Sequence, residues 1–329
     1  MTGLASFLLP KELPKISPIG EPRDASAFTV TGTQQALIRL GYLPFGFDSG
    51  VFDSTTTRAL QRFQRHARRP YRMSALTGLP EDVEPDECFA GACDARIDTA
   101  TTVELRRWIG RAWQLPIGRF RLAPIPPGRT RLTRRALLRE DVLAAWLAVL
   151  AEARQRGATV DGPYGDTWRP LGFHRKDGTS PRSFHIAGRA IDLNQRLAHT
   201  PAQRYFPLPR RHGDAVRFQV LCRAARQDGS QGRYYCAGSE ESWRFGASGY
   251  PIPGGWYVDL TALLHEGGFE GIVAQPGWES SYLRSEWWHF QYRHQKQDTF
   301  LDECELVGIG EEQLLRAGYA IADMDGQPG

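Results

Sequence analysis

Ser183-Phe184-His185-Ile186-Ala187-Gly188-Arg189-Ala190-Ile191-Asp192 decides how this chain is read, together with Glu286-Trp287-Trp288-His289 much later in the sequence. The two stretches offer two imidazoles, one carboxylate able to act as a ligand and one spare carboxylate. That is the inventory of a catalytic zinc: three protein ligands, a fourth position open to water, and a base beside it. A closed structural site would need a fourth protein ligand and would have no use for the spare acid. The spacings constrain the local structure. His185 and Asp192 are seven apart, so on an unbroken strand they would face opposite ways. The chain must turn between them, and Gly188 is placed to allow it. Ala190-Ile191-Asp192-Leu193 then reads as a buried strand. Glu286 and His289 also miss strand parity. Glu286 is therefore expected at a bend that enters a strand over Trp287–Tyr292, with Trp287 and His289 on one face. The tryptophans would wall the site and keep it dry, which strengthens the field of an ion.

The pattern Ser-x-His-x-x-Gly-x-Ala-x-Asp followed by Glu-x-Trp-His resembles that of the M15 zinc peptidases. These include VanY-type D,D-carboxypeptidases, VanX-type D-Ala-D-Ala dipeptidases and phage L-Ala-D-Glu endopeptidases. The resemblance spans roughly residues 134 to 300. It implies one Zn2+ per chain, bound by His185, Asp192 and His289, with Glu286 as catalytic base. It also implies a mixed α+β domain of hedgehog/D,D-peptidase type with a central antiparallel sheet, acting on peptide bonds of the peptidoglycan stem. Members of the family carry an aromatic-Arg pair a little upstream of the His motif. Thr167-Trp168-Arg169 is similar, so Arg169 is the candidate for the second positive group that a tetrahedral intermediate needs. Ser183 lies two before His185, on the same face of an extended chain, where it would orient a ligand or bond the substrate. Trp287 and Trp288 are expected on the substrate side. His174, His199, His212, His265 and His294 read as surface or cap histidines.

A second resemblance lies in the N-terminal third. Gln34-x-x-Leu37-x-x-Leu40-Gly41-Tyr42 is followed by Asp48-Ser49-Gly50-Val51-Phe52-Asp53-Ser54-Thr55-Thr56 and by Ala59-Leu60-x-x-Phe63-Gln64. This is similar to the small three-helix peptidoglycan-binding domain of many wall hydrolases. The residues support helices on their own terms. Leu37 and Leu40 mark one face and Gly41 ends it, while Thr56, Ala59, Leu60 and Phe63 form the next apolar stripe. Ile97-Asp98-Thr99-Ala100-Thr101-x-x-x-Leu105 reads as a half-repeat that closes the domain. Asp53 stands where the family usually has Gly, and an insertion from about Arg68 to Asp94 separates the halves.

The chain has 329 residues, 41% of them hydrophobic, enough for two cores. The net charge is +4, from 41 basic and 37 acidic residues, which argues against a nucleic-acid partner. No stretch approaches a membrane span, and Met1 to Pro18 lacks the pattern of a secretory signal. A wall enzyme of this kind would reach the cell envelope by phage lysis or a specialised secretion system, with a delivery partner; a monomer is expected. Five cysteines are present. Cys88/Cys93 and Cys222/Cys236 have spacings that suit local disulfides, with Cys304 left over, and free buried thiols are the alternative.

The expected fold class is α+β in five segments: an extended Pro-containing arm over 1–29, the three-helix domain over 30–113, a stiff Pro-rich linker over 114–133, the peptidase-like domain over 134–305 and a tail over 306–329. Within these, a helix is expected over Arg134–Arg156, a strand over Thr159–Arg169 and a long Gly/Ser/Arg-rich loop from about Arg210 to Pro253. Asp259 should cap a helix over Leu260–Glu266, and one amphipathic helix is expected over Glu311–Ala322. Three functions fit these residues: a zinc peptidase of peptidoglycan stems or cross-links, a VanX-type hydrolase of free D-Ala-D-Ala, and a hedgehog-like binding module whose zinc is only structural. Glu286 argues against the last, and a wall-binding domain has little use for a free dipeptide.

Overall fold

Thr29 opens the first helix, α1 (Val30–Arg39), by accepting the N–H of Gly32 on its hydroxyl at 3.1 Å. Asp53 does the same for α2 (Ser54–Ala67) through the N–H of Thr56 at 2.7 Å. Asp98 caps α3 (Thr99–Gly110) through Thr101 at 2.7 Å. Asp53, the departure from the family pattern, is thus a helix cap. Leu37, Leu40, Leu60, Phe63, Leu105 and Trp108 from the three helices meet in one core. These elements belong to the first of two compact units, Met1–Leu115 and Pro116–Gly329. The structure is a computed structural model and describes residues 29–130, 135–160, 162–172, 182–199, 203–244 and 247–327. The expected arm, Thr29 apart, and His174 lie outside the described residues.

The insertion after α2 is part of the fold. It supplies β1 (Tyr71–Ser74) and β2 (Pro80–Asp82), which join β3 (Trp113–Gln114) in a sheet of order β2-β1-β3. Val83 and Phe89 from the same segment enter the core.

The two halves of this unit are built on one polar plan. Gln34 is buried; its amide nitrogen donates to the Val51 carbonyl and to Thr56 Oγ1, each at 2.9 Å, and its oxygen accepts the Gly50 N–H at 2.8 Å. Gln64 is buried in the same way. Its nitrogen donates to the Arg96 carbonyl at 3.3 Å and Thr101 Oγ1 at 3.0 Å, and its oxygen accepts the Ala95 N–H at 2.9 Å. Gly50 and Ala95 both have positive φ, 77° and 61°. Each glutamine thus ties the loop before a helix to the first turn of that helix.

In the second unit, β4 (Leu122–Arg129) pairs antiparallel with β5 (Arg135–Arg139). Much of the expected linker is therefore a strand of this unit. Its prolines are tolerated because β5 is its one partner strand among the described residues and the register breaks between Pro124 and Arg129. The helix expected from Arg134 starts later: α4 spans Glu140–Arg156 and ends at Gly157 with φ 84°. Val142, Trp146, Val149 and Leu150 face the core. No strand forms over 162–169; an isolated bridge at Tyr164 is what remains of that expectation among the described residues.

The region expected as a long loop is mostly sheet. After β6 (Ala190–Asp192) come β7 (Tyr205–His212), β8 (Ala215–Arg223), β9 (Arg233–Tyr235), β10 (Glu241–Arg244), β11 (Ala247–Pro251) and β12 (Gly255–Asp259). They form an antiparallel sheet of order β7-β8-β12-β9 and a β10-β11 hairpin. Val216, Phe218, Val220 and Cys222 alternate along β8 into the core. Asp259 caps α5 (Leu260–Glu266) through the Ala262 N–H at 2.9 Å. β13 (Phe269–Gly271), the short helix α6 (Tyr282–Ser285) and β14 (His289–Tyr292) follow. The sheet β13-β14-β6 is separate, so several small antiparallel sheets replace the single central one expected. The chain closes with α7 (Phe300–Glu305), α8 (Glu311–Arg316) and α9 (Ile321–Asp325). The helix expected over 311–322 is two helices, broken at Gly318 with φ 87°.

Of the two alternatives left open for the cysteines, the structure has unpaired thiols: none of the five is in a disulfide. Cys222 lies in the core, where its sulfur accepts the Thr159 N–H at 3.3 Å, while Cys236 is exposed. Burial pushes the Cys222 thiol up to about 11.

Candidate functional site

β6 and β14 are antiparallel neighbours, and their register sets Asp192 directly opposite His289. Side chains on such a pair share one face and lie close. His289 Nδ1 is 2.9 Å from Asp192 Oδ1. His185 reaches the same point from before the turn. Gly188 has φ 66°, and its N–H and that of Arg189 close the turn on the carbonyls of His185 and Phe184 at 3.2 and 3.0 Å. A Cβ at residue 188 would lie 2.9 Å from the Arg139 nitrogen and 2.7 Å from Leu122 Cδ2, so glycine is required both for φ and for space. The turn brings His185 Nε2 to 3.2 Å from Asp192 Oδ1 and 3.1 Å from His289 Nδ1.

Three ligand atoms thus converge in a buried cluster. A tetrahedral ion at about 2.0–2.1 Å from each donor would hold them about 3.3 Å apart. The observed separations, 2.9 to 3.2 Å, are close to that triangle. The protonation pattern supports a cation as well. The Thr167 carbonyl accepts the Nδ1–H of His185, so in the neutral ring the Nε2 lone pair is the one that faces Asp192 and His289. Burial holds His185 below the usual imidazole range, with the Arg169 charge acting in the same sense. Burial would push Asp192 up, but the two imidazoles, His185 above all, reverse this and hold its carboxyl well below the carboxylate range. With His185 Nε2 and Asp192 both accepting, at most one proton, on His289 Nδ1, lies between them, and a cation in that place would satisfy all three atoms.

Asp166, which sequence reasoning passed over, positions much of this arrangement. Its carbonyl accepts the Asp192 N–H at 2.8 Å. One carboxylate oxygen accepts the Thr167 N–H at 2.9 Å, and the other accepts Arg169 Nε at 2.5 Å. Arg169 is buried, and its Nη2 lies 3.8 Å from Asp192 Oδ2. Its backbone N–H donates to the His185 carbonyl at 3.1 Å. A lone carboxylate three residues before an arginine carries no signal in the sequence. Its role is visible only once segment 164–169 lies beside β6.

Arg189 and Glu303 form a second support. Arg189 is fully buried; its Nη2 donates to the carbonyls of Tyr292 and His294 at 2.8 and 2.6 Å, and its Nη1 to Glu303 at 2.5 Å. Arg139 takes the other oxygen of Glu303 at 2.9 Å. The end of β14 is thereby tied to the turn that carries His185.

Glu286 sits at the bend expected of it, with φ 50°, at the end of α6. Its carbonyl accepts the His289 N–H at 3.0 Å, and its carboxylate accepts Gln275 Nε2 at 3.4 Å. Ser183 Oγ accepts the His185 N–H at 3.4 Å, a bond within the turn. The strand expected over Trp287–Tyr292 begins only at His289, because the bend consumes the residues before it. Trp287 and Trp288, expected beside a substrate, are core side chains, 3% and 2% exposed. Trp288 stacks on Tyr282 with ring centroids 4.7 Å apart and meets Trp287 edge-on at 5.5 Å. His199, His212, His265 and His294 are exposed and outside the cluster.

Residues 29–71 match the family described as "Putative peptidoglycan binding domain". The first unit therefore carries an N-terminal peptidoglycan-binding domain over those residues. No curated protein and no solved structure matches the chain. Among the described residues, no helix is long and apolar enough to cross a membrane.

Proposed function

We propose that the chain is a zinc-dependent peptidoglycan peptidase of M15 type, held to its polymer by the N-terminal domain and acting in the cell envelope. The observation that carries this reading is the convergence of His185, Asp192 and His289 in one buried cluster. The donor set, two imidazoles and a carboxylate, is that of a catalytic zinc with a position left for water. The ion would be held by His185 Nε2, Asp192 and His289 Nδ1. It would supply Lewis acidity and lower the pKa of water towards about 7. Glu286 takes the water proton and hands it to the leaving amine. Arg169, fixed by Asp166, offers positive charge to the oxygen on which charge develops. The substrate is an amide of the stem peptide or of a cross-link. The peptidoglycan-binding domain favours a polymer over free D-Ala-D-Ala, because tethering raises the local concentration of a polymer without changing the catalytic site.

Glu286→Ala tests the reading. The variant should keep its metal and its fold and lose turnover of purified muropeptides by about 10²–10⁴-fold, the usual worth of a general acid/base. Wild-type turnover would remove Glu286 from the chemistry.

A further inference from the structure

The loop between α1 and α2 is exposed without a break from Pro44 to Thr55, and it is unusually apolar for such a place. Phe45 is 85% exposed, Val51 63%, Phe47 46% and Phe52 38%. Clusters of exposed apolar side chains on a small domain mark contact surfaces. This loop is also held in shape. Gln34 bonds the Gly50 N–H, the Val51 carbonyl and Thr56 from beneath. Gly46 and Gly50 take the left-handed conformations, φ 87° and 77°, that the tight path needs. A preorganised apolar surface loses little entropy when it meets a ligand.

We propose that Phe45, Phe47, Val51 and Phe52 form the surface through which the N-terminal domain grips the glycan strands of peptidoglycan. This rests on the family match, which includes the whole loop. Charge decides between the two parts of the polymer. The only ionisable side chains between Pro44 and Thr55 are Asp48 and Asp53. Stem peptides carry carboxylates, which this loop would repel. Neutral N-acetylated sugars have apolar C–H faces and methyl groups that pack on aromatic rings, and the aspartates can accept bonds from their hydroxyls.

The test uses the full chain with two probes, purified sacculi and peptide-free glycan strands whose lactyl carboxylates have been converted to amides, so that the sugars are neutral as they are in the wall. Phe45→Ser/Phe47→Ser/Val51→Ser should bind both at least roughly tenfold more weakly, as the loss of this much apolar contact implies. Its thermal midpoint should stay at the wild-type value, because the substituted side chains are exposed. Phe45→Trp, which keeps a ring for stacking, should retain wild-type binding. Wild-type affinity in the triple variant would overturn the inference while leaving the domain a peptidoglycan binder through another face. Wild-type binding confined to strands that still carry stem peptides would overturn the choice of glycan. Failure of the wild-type chain to bind sacculi would overturn the family-based reading, and the inference with it.

Discussion

The Gln34 cluster of the first unit and the His185 cluster of the second are both buried, polar and assembled from distant parts of the chain. They differ in how donors and acceptors balance. Around Gln34 every partner is matched: the amide gives two bonds to oxygens and receives one from a backbone N–H. Gln64 repeats the same arrangement. Such a cluster is complete without a ligand and serves the fold. Around His185 the balance fails. The His185 ring proton goes to the Thr167 carbonyl, so its Nε2 lone pair and the Asp192 carboxylate share at most one proton, that of His289 Nδ1. A buried group of acceptors with too few protons calls for a cation. Matched clusters hold a fold together, and unmatched ones point to a site.

The comparison can be broken or sharpened by substitution. The largest effect is expected at the turn that aims His185. Gly188→Ala should cost about 2–4 kcal/mol, from the positive φ and the overlap with the Arg139 nitrogen. Metal affinity should fall with it. A melting curve and a zinc titration like those of the wild type would show that the turn does not need glycine. Gln34→Ala should cost less, about 1–2 kcal/mol, because the Gly50 N–H and Val51 carbonyl keep partial access to water. It should leave the metal site untouched. A loss of metal on this substitution would contradict the division drawn between the two clusters. Ala95→Gly should have the smallest effect. Ala95 holds a positive φ of 61° where the other half of the repeat has Gly50. Relief of that conformation should raise stability by under about 1 kcal/mol, offset in part by the greater entropy of the unfolded chain. Denaturant midpoints would register it, and a clear loss of stability would mean the buried methyl matters more.

The sequence made some of this legible for identifiable reasons. The leucine and phenylalanine stripes of α1 and α2, the cap at Asp259 and the parity breaks at Gly188 and Glu286 are local signals, and the structure has a helix, a helix start or a bend at each. The strands between 205 and 259 were hidden. Their alternation is short, and the Gly- and Ser-rich turns between them dominate the composition. Pro124, Pro126 and Pro127 suggested a linker, yet a strand with one partner strand among the described residues and a break in its register needs few N–H donors there. In the candidate site, the residue types of His185, Asp192 and His289 marked them as possible metal ligands. Asp166, Glu303 and Gln275 act through contacts that exist only after folding, so nothing local distinguishes them from other polar residues.

Metal analysis of the purified full chain beside Asp192→Ala tests the central claim most directly. The account predicts about one zinc per wild-type chain. It predicts that Asp192→Ala loses the ion, because removal of the carboxylate leaves two imidazoles and no charge to hold it. A wild-type chain that takes up no metal from zinc-containing buffer, or a variant that stays fully loaded, would contradict it.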